Sequence, residues 1–327
     1  MTIPTPLAPD TFDVAALPDR SRGELQCQVC DLPGNEPLAF PVLAAAGRGP
    51  GPRLAVVAGV HGDEADGIAA ALALWEKLST DFIGRVTIIP VANPMAFAAG
   101  RRRSPIDDID LNRVCPGRLD GSVTERLAAA LSTLVCRNAD FLFTLHGWYS
   151  SGYAHPHVEF DLAPGPTQDA SRHACIAAGY DLIVAAEWPA GLLPKAAVNA
   201  GIPAMESEIG GQGVSHAENV GYLIARIRML MAHLGMTSDP EPNRMPRQTY
   251  RHCYIAAPLG GLLRITTRLG QSVRTGDELG QISDLWGRTT AVIMAPEDGV
   301  LVTERRTQSV GVDDNLFTIL VPTGDWP

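Results

Sequence analysis

Short apolar segments alternate with longer segments of helical period along most of this chain. Three apolar segments are typical of strands buried on both faces of a sheet, namely 53–60, 85–91 and 140–145. Shorter runs with strand character lie at 24–31, 37–45, 181–186 and 203–208. The helical patterns lie at 64–79, 123–137, 167–179 and 216–234. This alternation predicts an α/β fold in which helices flank a mostly parallel or mixed sheet.

The two ends of the chain depart from this alternation. Residues 1–20 are rich in proline, have no periodic pattern and are expected to form an irregular N-terminal arm. After about residue 245, short strand patterns are separated by glycine turns such as Gly276-Asp277, without any helical period. We therefore expect a main domain over 1–248 and a small all-β, barrel-like domain over 249–327.

Composition narrows the functions that are open to the chain. Its 327 residues carry a net charge of −10, and its only lysines are Lys77 and Lys195. This charge argues against binding to nucleic acid or to an anionic membrane. No apolar run reaches the roughly 20 residues that span a bilayer, and the N-terminus lacks the pattern of a secretory signal. Because six cysteines are too few for a disulfide scaffold, we expect a cytoplasmic location.

The most specific chemical pattern is His61-Gly-Asp-Glu64, which follows the strand predicted at 53–60. His146 follows the strand predicted at 140–145 in the same way. The carboxyl ends of parallel strands meet at one edge of a sheet, where ligands bind. Two imidazoles and a carboxylate that converge there leave a fourth position open, as in hydrolytic zinc sites. H-x-x-E is common by chance, so ordinary loop residues are the alternative at this point.

Two further polar segments lie at the same predicted edge. The loop after the strand at 85–91 contains the arginine-rich run 101–113, RRRSPIDDIDLNR. An arginine there can polarise a carbonyl and another can bind a carboxylate, although a lone arginine cluster is more often a solvated turn. The strand at 203–208 carries Glu206 and Glu208 on one face. Either carboxylate is a candidate general base, and the residue pattern does not choose between them.

Taken in order, these motifs resemble the succinylglutamate desuccinylase/aspartoacylase family, a branch of the zinc carboxypeptidase clan. The resemblance extends from about residue 50 to the C-terminus. The motifs that carry it are His61-x-x-Glu64, Asp110-Leu-Asn-Arg113, Leu145-His146 and Glu208-Ile-Gly210. It implies a zinc carboxypeptidase-like fold and one zinc ion per chain. It also implies hydrolysis of a small N-acyl amino acid that bears a carboxylate.

Carried over position by position, the resemblance implies roles for the metal-binding and acid–base residues. The implied zinc ligands are His61, Glu64 and His146. Glu208 would act as the general base and then protonate the leaving amine, with Glu206 as the alternative.

The same resemblance assigns the polar loop to the substrate. Arg102 would polarise the scissile carbonyl, and Arg103 is the alternative if the alignment shifts by one residue. Asn112 and Arg113 would bind the substrate carboxylate.

This sequence departs from the family pattern at two positions. Relatives often have aspartate two residues before the third ligand, where this chain has Thr144, so the partner of His146 is either missing or relocated. Cys115 stands where phenylalanine usually precedes Pro-Gly, and we interpret it as a packing residue. Both changes leave the identity of the substrate open.

The remaining histidines and the C-terminal region leave several alternatives. His155-Pro-His157 is either a second metal pair or, as we favour, part of the pocket edge or of a loop, and His252 is expected to be structural. The C-terminal region resembles a biotinyl/lipoyl-type barrel. No lysine follows Lys195, so a carrier function is excluded and a site-capping or structural role remains. The competing functions are a zinc carboxypeptidase that acts on small peptides and, less favoured, an inactive metal-binding relative. A homo-oligomer is left open.

Overall fold

A computed structural model describes residues 5–32, 34–238 and 248–325. In this structure the apolar segments form the centre of one large sheet. The helices are α1 (Ala65–Lys77), α2 (Pro94–Ala98), α3 (Val123–Asn138), α4 (Pro166–Ala177), α5 (Leu193–Asn199) and α6 (Ala217–His233). The strands of the first 238 residues are β1 (Thr5–Leu7), β2 (Arg22–Asp31), β3 (Pro37–Ala46), β4 (Arg53–Ala58), β5 (Arg85–Ile89), β6 (Phe141–His146), β7 (Gly152–Asp161), β8 (Ile183–Ala186) and β9 (Ala204–Gly211). The later strands are β10 (Gln248–Ala256), β11 (Gly261–Ile265), β12 (Ser272–Val273), β13 (Glu278–Ser283), β14 (Thr289–Met294), β15 (Gly299–Arg305), β16 (Ser309–Val310) and β17 (Asn315–Asp325).

Thirteen of the described strands form a single mixed sheet. Their order is β1-β2-β3-β5-β4-β6-β9-β7-β8-β10-β17-β15-β12, with an additional pairing of β7 with β15. The central strands β5, β4, β6 and β9 are parallel, whereas β7 runs antiparallel to β9. The predicted α/β fold with a mixed sheet is therefore confirmed.

Helices cover both faces of the central strands, and this burial explains why those strands are almost continuously apolar. Val56 of β4 belongs to a core cluster with residues of α1 and α6, whereas its neighbour Val57 belongs to a cluster with residues of α3. Burying a valine side chain of this kind contributes about 1.5–3 kcal/mol. Because these central strands are parallel, they all end at the same edge of the sheet. The polar residues that follow the strands therefore lie along that edge.

Several elements differ from the predicted ones. The strand β7 and the short helices α2 and α5 were not predicted. Pro156 lies within β7, where the pairing with β9 shifts its register, as expected for a proline at a bulge. The arm over 1–20 is also less irregular than expected, because β1 pairs with β2 and 14–16 form one helical turn. Residues 1–4 lie outside the described residues.

The described residues from 248 onward form strands without a helix, as the sequence predicted. Strands β11, β13, β14 and β16 form a second sheet, and a separate core cluster includes Leu279, Ile282 and Phe317. Strands β10 and β15 join the main sheet beside β8 and β7. The predicted boundary at 248 adjoins 239–247, which lie outside the described residues. None of the described helices is long and apolar enough to cross a bilayer.

Candidate active site

His61 and His146 come together because they follow two adjacent strands of the sheet. Strands β4 and β6 are parallel neighbours, and their carboxyl ends lie at the same edge. After β4 the chain turns through His61 into α1, with Glu64 directly before the first helical residue. Gly62 permits this close turn, since a Cβ atom there would lie only 2.0 Å from the backbone of Ala96. The local sequence thus directs two imidazoles and one carboxylate to one point.

Glu64 bridges the two histidines. Its Oε1 lies 2.7 Å from Nδ1 of His61 and its Oε2 lies 2.9 Å from Nδ1 of His146. All three side chains are at most 3% exposed. Burial alone would raise the pKa of Glu64, but the adjacent histidines outweigh it and hold this pKa well below its usual range. One ligand atom from each residue lies within 4.8 Å of the others, so the three residues could hold a metal ion.

The far side of the His61 ring contacts a second carboxylate. Nε2 of His61 lies 3.1 Å from Oδ1 of Asp110, and Oδ2 of Asp110 accepts a hydrogen bond of 2.8 Å from Nε of Arg102. Nδ1 of His61 is therefore directed toward Glu64 while Nε2 is directed toward Asp110. Such an outer carboxylate fixes the orientation of a metal-binding imidazole.

The far side of the His146 ring also lies next to a carboxylate, which is supplied by β9. Nε2 of His146 lies 3.2 Å from Oε2 of Glu206, within ion-pair distance but outside hydrogen-bond direction. Thr144 pairs with Glu206 in the sheet, and its hydroxyl donates a hydrogen bond of 3.2 Å to the same oxygen. Burial lowers the pKa of His146, but Glu206 and Glu64 outweigh it and raise this pKa well above its usual value. The carboxylate that the sequence lacks at position 144 is thus supplied by Glu206.

Glu208 lies on the same strand and faces the cavity. In the sheet it pairs with His146 on one side and with His157 on the other. Its Oε2 is buried and has no hydrogen-bond partner among the described residues. Burial and then the nearby Glu64 raise its pKa well above the usual value. Glu206 and Glu208 therefore differ in environment, although the sequence did not distinguish them.

Arg102 and Arg103, the two candidate arginines of the loop, also differ in environment. Arg102 lines the cavity, where one of its terminal nitrogens, Nη1, lies 3.4 Å from Nδ1 of His61. Its guanidinium also lies 5.0 Å from the ring centre of Tyr149. The side chain of Arg103 is 54% exposed, contacts Asp108 and does not line the cavity. The structure therefore places Arg102 in the cavity wall and Arg103, the predicted alternative, outside the cavity.

Asn112 and Arg113, which the family resemblance assigned to the substrate carboxylate, also line the cavity. The side-chain oxygen of Asn112 accepts a hydrogen bond of 2.9 Å from the backbone N–H of Leu193, at the start of α5. The amide group is thereby held in place. Arg113 lines the cavity, and it forms no ion pair with any carboxylate in the described parts of the chain. A guanidinium without such a partner is suited to binding an anionic ligand group.

One cavity of about 610 Å³ unites these residues. It also contains residues that the sequence did not indicate, from the loop after β6, from β7, from the loop after β8, and from the C-terminal strands. They include Trp148, Tyr149, Glu159, Glu187, Trp188, Arg251, His252, Tyr254 and Asn315. Apolar and polar residues alternate over 154–161, but Pro156 within this run argued against a strand. His252, expected to be structural, lies in the cavity wall and contacts Glu159.

The cysteines Cys115, Cys27 and Cys30 lie outside the cavity. Cys115 is 5% exposed, packs in the core cluster that includes α3 residues and does not line the cavity. Burial raises its pKa to about 12. These observations favour the packing interpretation. Cys27 and Cys30 form no disulfide, and Cys27 is fully buried in the same cluster.

Comparison with known proteins agrees with this geometry. The sequence profile of the succinylglutamate desuccinylase/aspartoacylase catalytic domain matches residues 50–234. A Halomonas elongata protein named N-alpha-acetyl-L-2,4-diaminobutyric acid deacetylase is 31% identical over 287 residues, which cover 83% of each chain. The chain therefore belongs to the succinylglutamate desuccinylase/aspartoacylase family and is an amide hydrolase.

Solved structures agree over nearly the whole chain. The product-bound ectoine utilization protein EutE (DoeB) from Ruegeria pomeroyi has 26% identity and a TM-score of 0.85, covering 94% of this chain and 98% of that one. A succinylglutamate desuccinylase from Silicibacter sp. TM1040 has 26% identity and a TM-score of 0.81, covering 92% and 94%. The fold thus extends through the C-terminal strands in these proteins as well.

Proposed function

We propose that this protein is a zinc-dependent deacylase that hydrolyses the N-acyl amide of a small amino acid with a free carboxylate. The observation that carries the proposal is one cavity lined by His61, His146, Glu208 and Arg113, with Glu64 in contact with both histidines. These groups provide a metal site, an acid–base residue and an anion-binding residue within the space of one small molecule.

The donor set fits zinc. Two imidazole nitrogens and one carboxylate are the protein ligands of many hydrolytic zinc sites, in which a fourth position is left open. Asp110 and Glu206 contact the other nitrogens of the two rings and so favour Nδ1 as the ligand atom. When bound there, zinc would polarise an amide carbonyl and lower the pKa of water. The same ligand set supports a relationship to the zinc carboxypeptidase clan and one zinc ion per chain.

Glu208 is the proposed proton carrier. Glu208 lines the cavity, and its Oε2, which has no hydrogen-bond partner among the described residues, can accept a proton from water during attack on the amide carbon. The same carboxyl group can then deliver that proton to the nitrogen atom, which leaves as an amine. A raised pKa suits a group that must alternate between the two protonation states near neutral pH.

Arg102, Asn112 and Arg113 are the proposed substrate-binding groups. Arg102 lies beside His61 and Glu64, where a guanidinium can stabilise negative charge that develops on the amide oxygen. Arg113 can bind the substrate carboxylate, and the amide nitrogen of Asn112 can add a hydrogen bond. Because the oxygen of Asn112 is already occupied by Leu193, its nitrogen is directed away from that contact.

We also propose that the C-terminal region, 249–327, caps the catalytic region, 1–248. Arg251, His252, Tyr254 and Asn315 line the cavity, and in this proposal they narrow its mouth. A narrow mouth favours small N-acyl amino acids over peptides and so distinguishes a deacylase from a carboxypeptidase. The six free cysteines support the proposed cytoplasmic location.

The first test is zinc content together with amine release from N-acetyl-2,4-diaminobutyrate, N-acetylaspartate, N-succinylglutamate and small peptides. N-acetyl-2,4-diaminobutyrate leads the panel because the Halomonas relative is named for it. We expect about one zinc per chain and amine release that stops with a chelator and returns with zinc. Faster release of C-terminal residues from peptides would assign the chain to the carboxypeptidases instead. Bound zinc without release from any compound would indicate an inactive relative.

A further inference from the structure

A second group of polar side chains consists of His157, Glu159 and His252, of which Glu159 and His252 line the same cavity. His157 and Glu159 are two residues apart on β7 and share a face, and His252 of β10 lies against them. One ligand-type atom from each residue lies within 4.8 Å of the others. The proposed hydrolytic mechanism uses none of these three residues.

The sheet register fixes where this group lies relative to the proposed catalytic groups. Across β6, β9 and β7, one row consists of Thr144, Glu206 and Glu159. Neighbouring strands are about 4.8 Å apart, so Glu159 lies one spacing from the strand that carries Glu206 and Glu208. A short amino-acid side chain can cover a distance of that order.

Glu159 has no cationic partner within the described ranges. Its oxygens contact Nε1 of Trp188 at 3.4 Å and Nε2 of His252 at 3.3 Å. Burial lowers the pKa of His252 to about 3, so this histidine is neutral at pH 7. Arg251, next to His252 on β10, bonds to Glu297, and Lys195 bonds to Asp161, so both of these basic side chains have other carboxylate partners.

A buried carboxylate that opens into a substrate cavity and has only neutral partners is suited to a cation supplied by the ligand. Charge-assisted hydrogen bonds are the stronger class, and an ammonium group can form them with a carboxylate. The ring of Trp188 lines the same wall and provides the aromatic surface that cations also favour.

We propose that Glu159 binds an ammonium group on the side chain of the substrate, so that this site selects N-acylated diamino acids with short side chains. The inference rests on the proposed deacylase function, because it concerns the same cavity. Arg113 then binds the carboxylate, the His61 side of the cavity receives the acyl carbonyl, and Glu159 receives the second amine. Glu159 is thus a specificity-determining residue, whereas Glu206 in the same row positions His146.

The test compares two free amino acids that differ in the amine alone. Binding of 2,4-diaminobutyrate and of 2-aminobutyrate is measured by calorimetry, and kcat/KM is measured for the N-acetyl derivative of each. We expect the wild type to favour the diamino compound by at least about tenfold, the lower end for a hydrogen bond to a charged group. Glu159→Gln should remove this preference, whereas Glu159→Asp, which keeps the charge, should retain part of it.

Glu187→Gln is the matched control, because Glu187 also lines the cavity but is exposed. This variant should keep the wild-type preference, and circular dichroism should find all three variants folded. Loss of the preference in Glu187→Gln rather than in Glu159→Gln would overturn the inference. Equal binding of both amino acids by the wild type would overturn it as well, even if deacylation is observed.

Two further outcomes separate this inference from the proposed function and from a second metal site. Glu159-dependent binding of 2,4-diaminobutyrate without hydrolysis of any N-acyl compound would support the inference and contradict the deacylase function. Zinc titration of the wild type and of Glu159→Gln tests for a second metal site. A second zinc equivalent that is present in the wild type and lost in the variant would assign His157, Glu159 and His252 to a metal and overturn the inference.

Discussion

The carboxylate of Glu206 lies 3.2 Å from Nε2 of His146, on the side of the ring that faces away from Glu64. This contact orients Nδ1 of His146 toward Glu64. Glu206→Gln should therefore lower zinc affinity by about 10–100-fold, the usual cost of losing such a partner of a metal ligand. Competition with a zinc-binding dye measures the affinity directly.

The matched control for this experiment is Glu208→Gln, since both glutamates lie on one face of β9. This control variant should bind zinc as tightly as the wild type. The interpretation of Glu206 fails if its variant keeps full affinity while the Glu208 variant loses it.

Glu208 is expected to affect turnover without affecting the metal. Glu208→Gln keeps the size of the side chain but cannot carry a proton, so kcat should fall by about 10²–10⁴-fold. KM should change far less, because the variant leaves Arg113 and Asn112 in place. Steady-state kinetics and zinc content measured on the same preparation check this prediction. Near-normal turnover at full zinc content would remove Glu208 from the proposed role.

Substitution of the adjacent residues Arg102 and Arg103 tests which arginine polarises the scissile carbonyl. Arg102→Ala should lower kcat/KM by about 10²–10³-fold, as for the loss of one group that stabilises developing oxyanion charge. Arg103→Ala should leave kcat/KM within about twofold, as is usual for a residue outside the site. The opposite result for the pair would mean that Arg103 turns into the cavity when substrate binds.

The environment of Glu159 predicts a dependence of stability on pH. Burial and the neighbouring Glu206 raise its pKa from 4.5 to about 8 in the folded protein. The folded state therefore retains a proton that the unfolded state loses between these values. The contribution of the protonated carboxyl is full below about pH 4.5 and declines as the pH rises to about 8. The other groups that face it are His157 and His252.

The amide side chain in Glu159→Gln does not titrate, so this variant should lack the decline in stability that Glu159 causes as the pH rises. The free energy of unfolding of the wild type minus that of the variant should fall as the pH rises from 5 to 8, by at most about 1.4 kcal/mol per pH unit. Urea unfolding of both proteins at several pH values, without substrate, measures the difference. Parallel profiles for the two proteins would contradict the raised pKa.

Much of the fold, and the convergence of His61, Glu64 and His146, could be predicted because a short apolar run shows where each buried strand ends. His61 and His146 follow such ends directly, so their proximity required only a parallel sheet. The residue pattern alone did not choose between Glu206 and Glu208, because residues two apart share a face and only the register with β6 decides which one contacts His146. The choice of Glu208, like that of Arg102 over Arg103, rested on the family resemblance, since a loop has no period that orients side chains.

The strand β7 was missed for a different reason. Its residues 154–161 alternate between apolar and polar, but Pro156 lies within this run and donates no backbone hydrogen bond, so 152–161 looked like a loop around two histidines. The bulge that accommodates the proline lies between Ala154 and His157. Consequently Glu159 could not be assigned to the site from the sequence.

The main sheet continues into the C-terminal region, because β15 pairs with β7 and β10 pairs with β8. A chain truncated at residue 238 would expose the backbone edges of β7 and β8, which are prone to aggregate. The two regions are therefore expected to unfold in one cooperative transition rather than as separable modules. Evolution of substrate choice in this fold is constrained in the same way, because an exchange of the C-terminal region must preserve the pairing with the strand that carries Glu159.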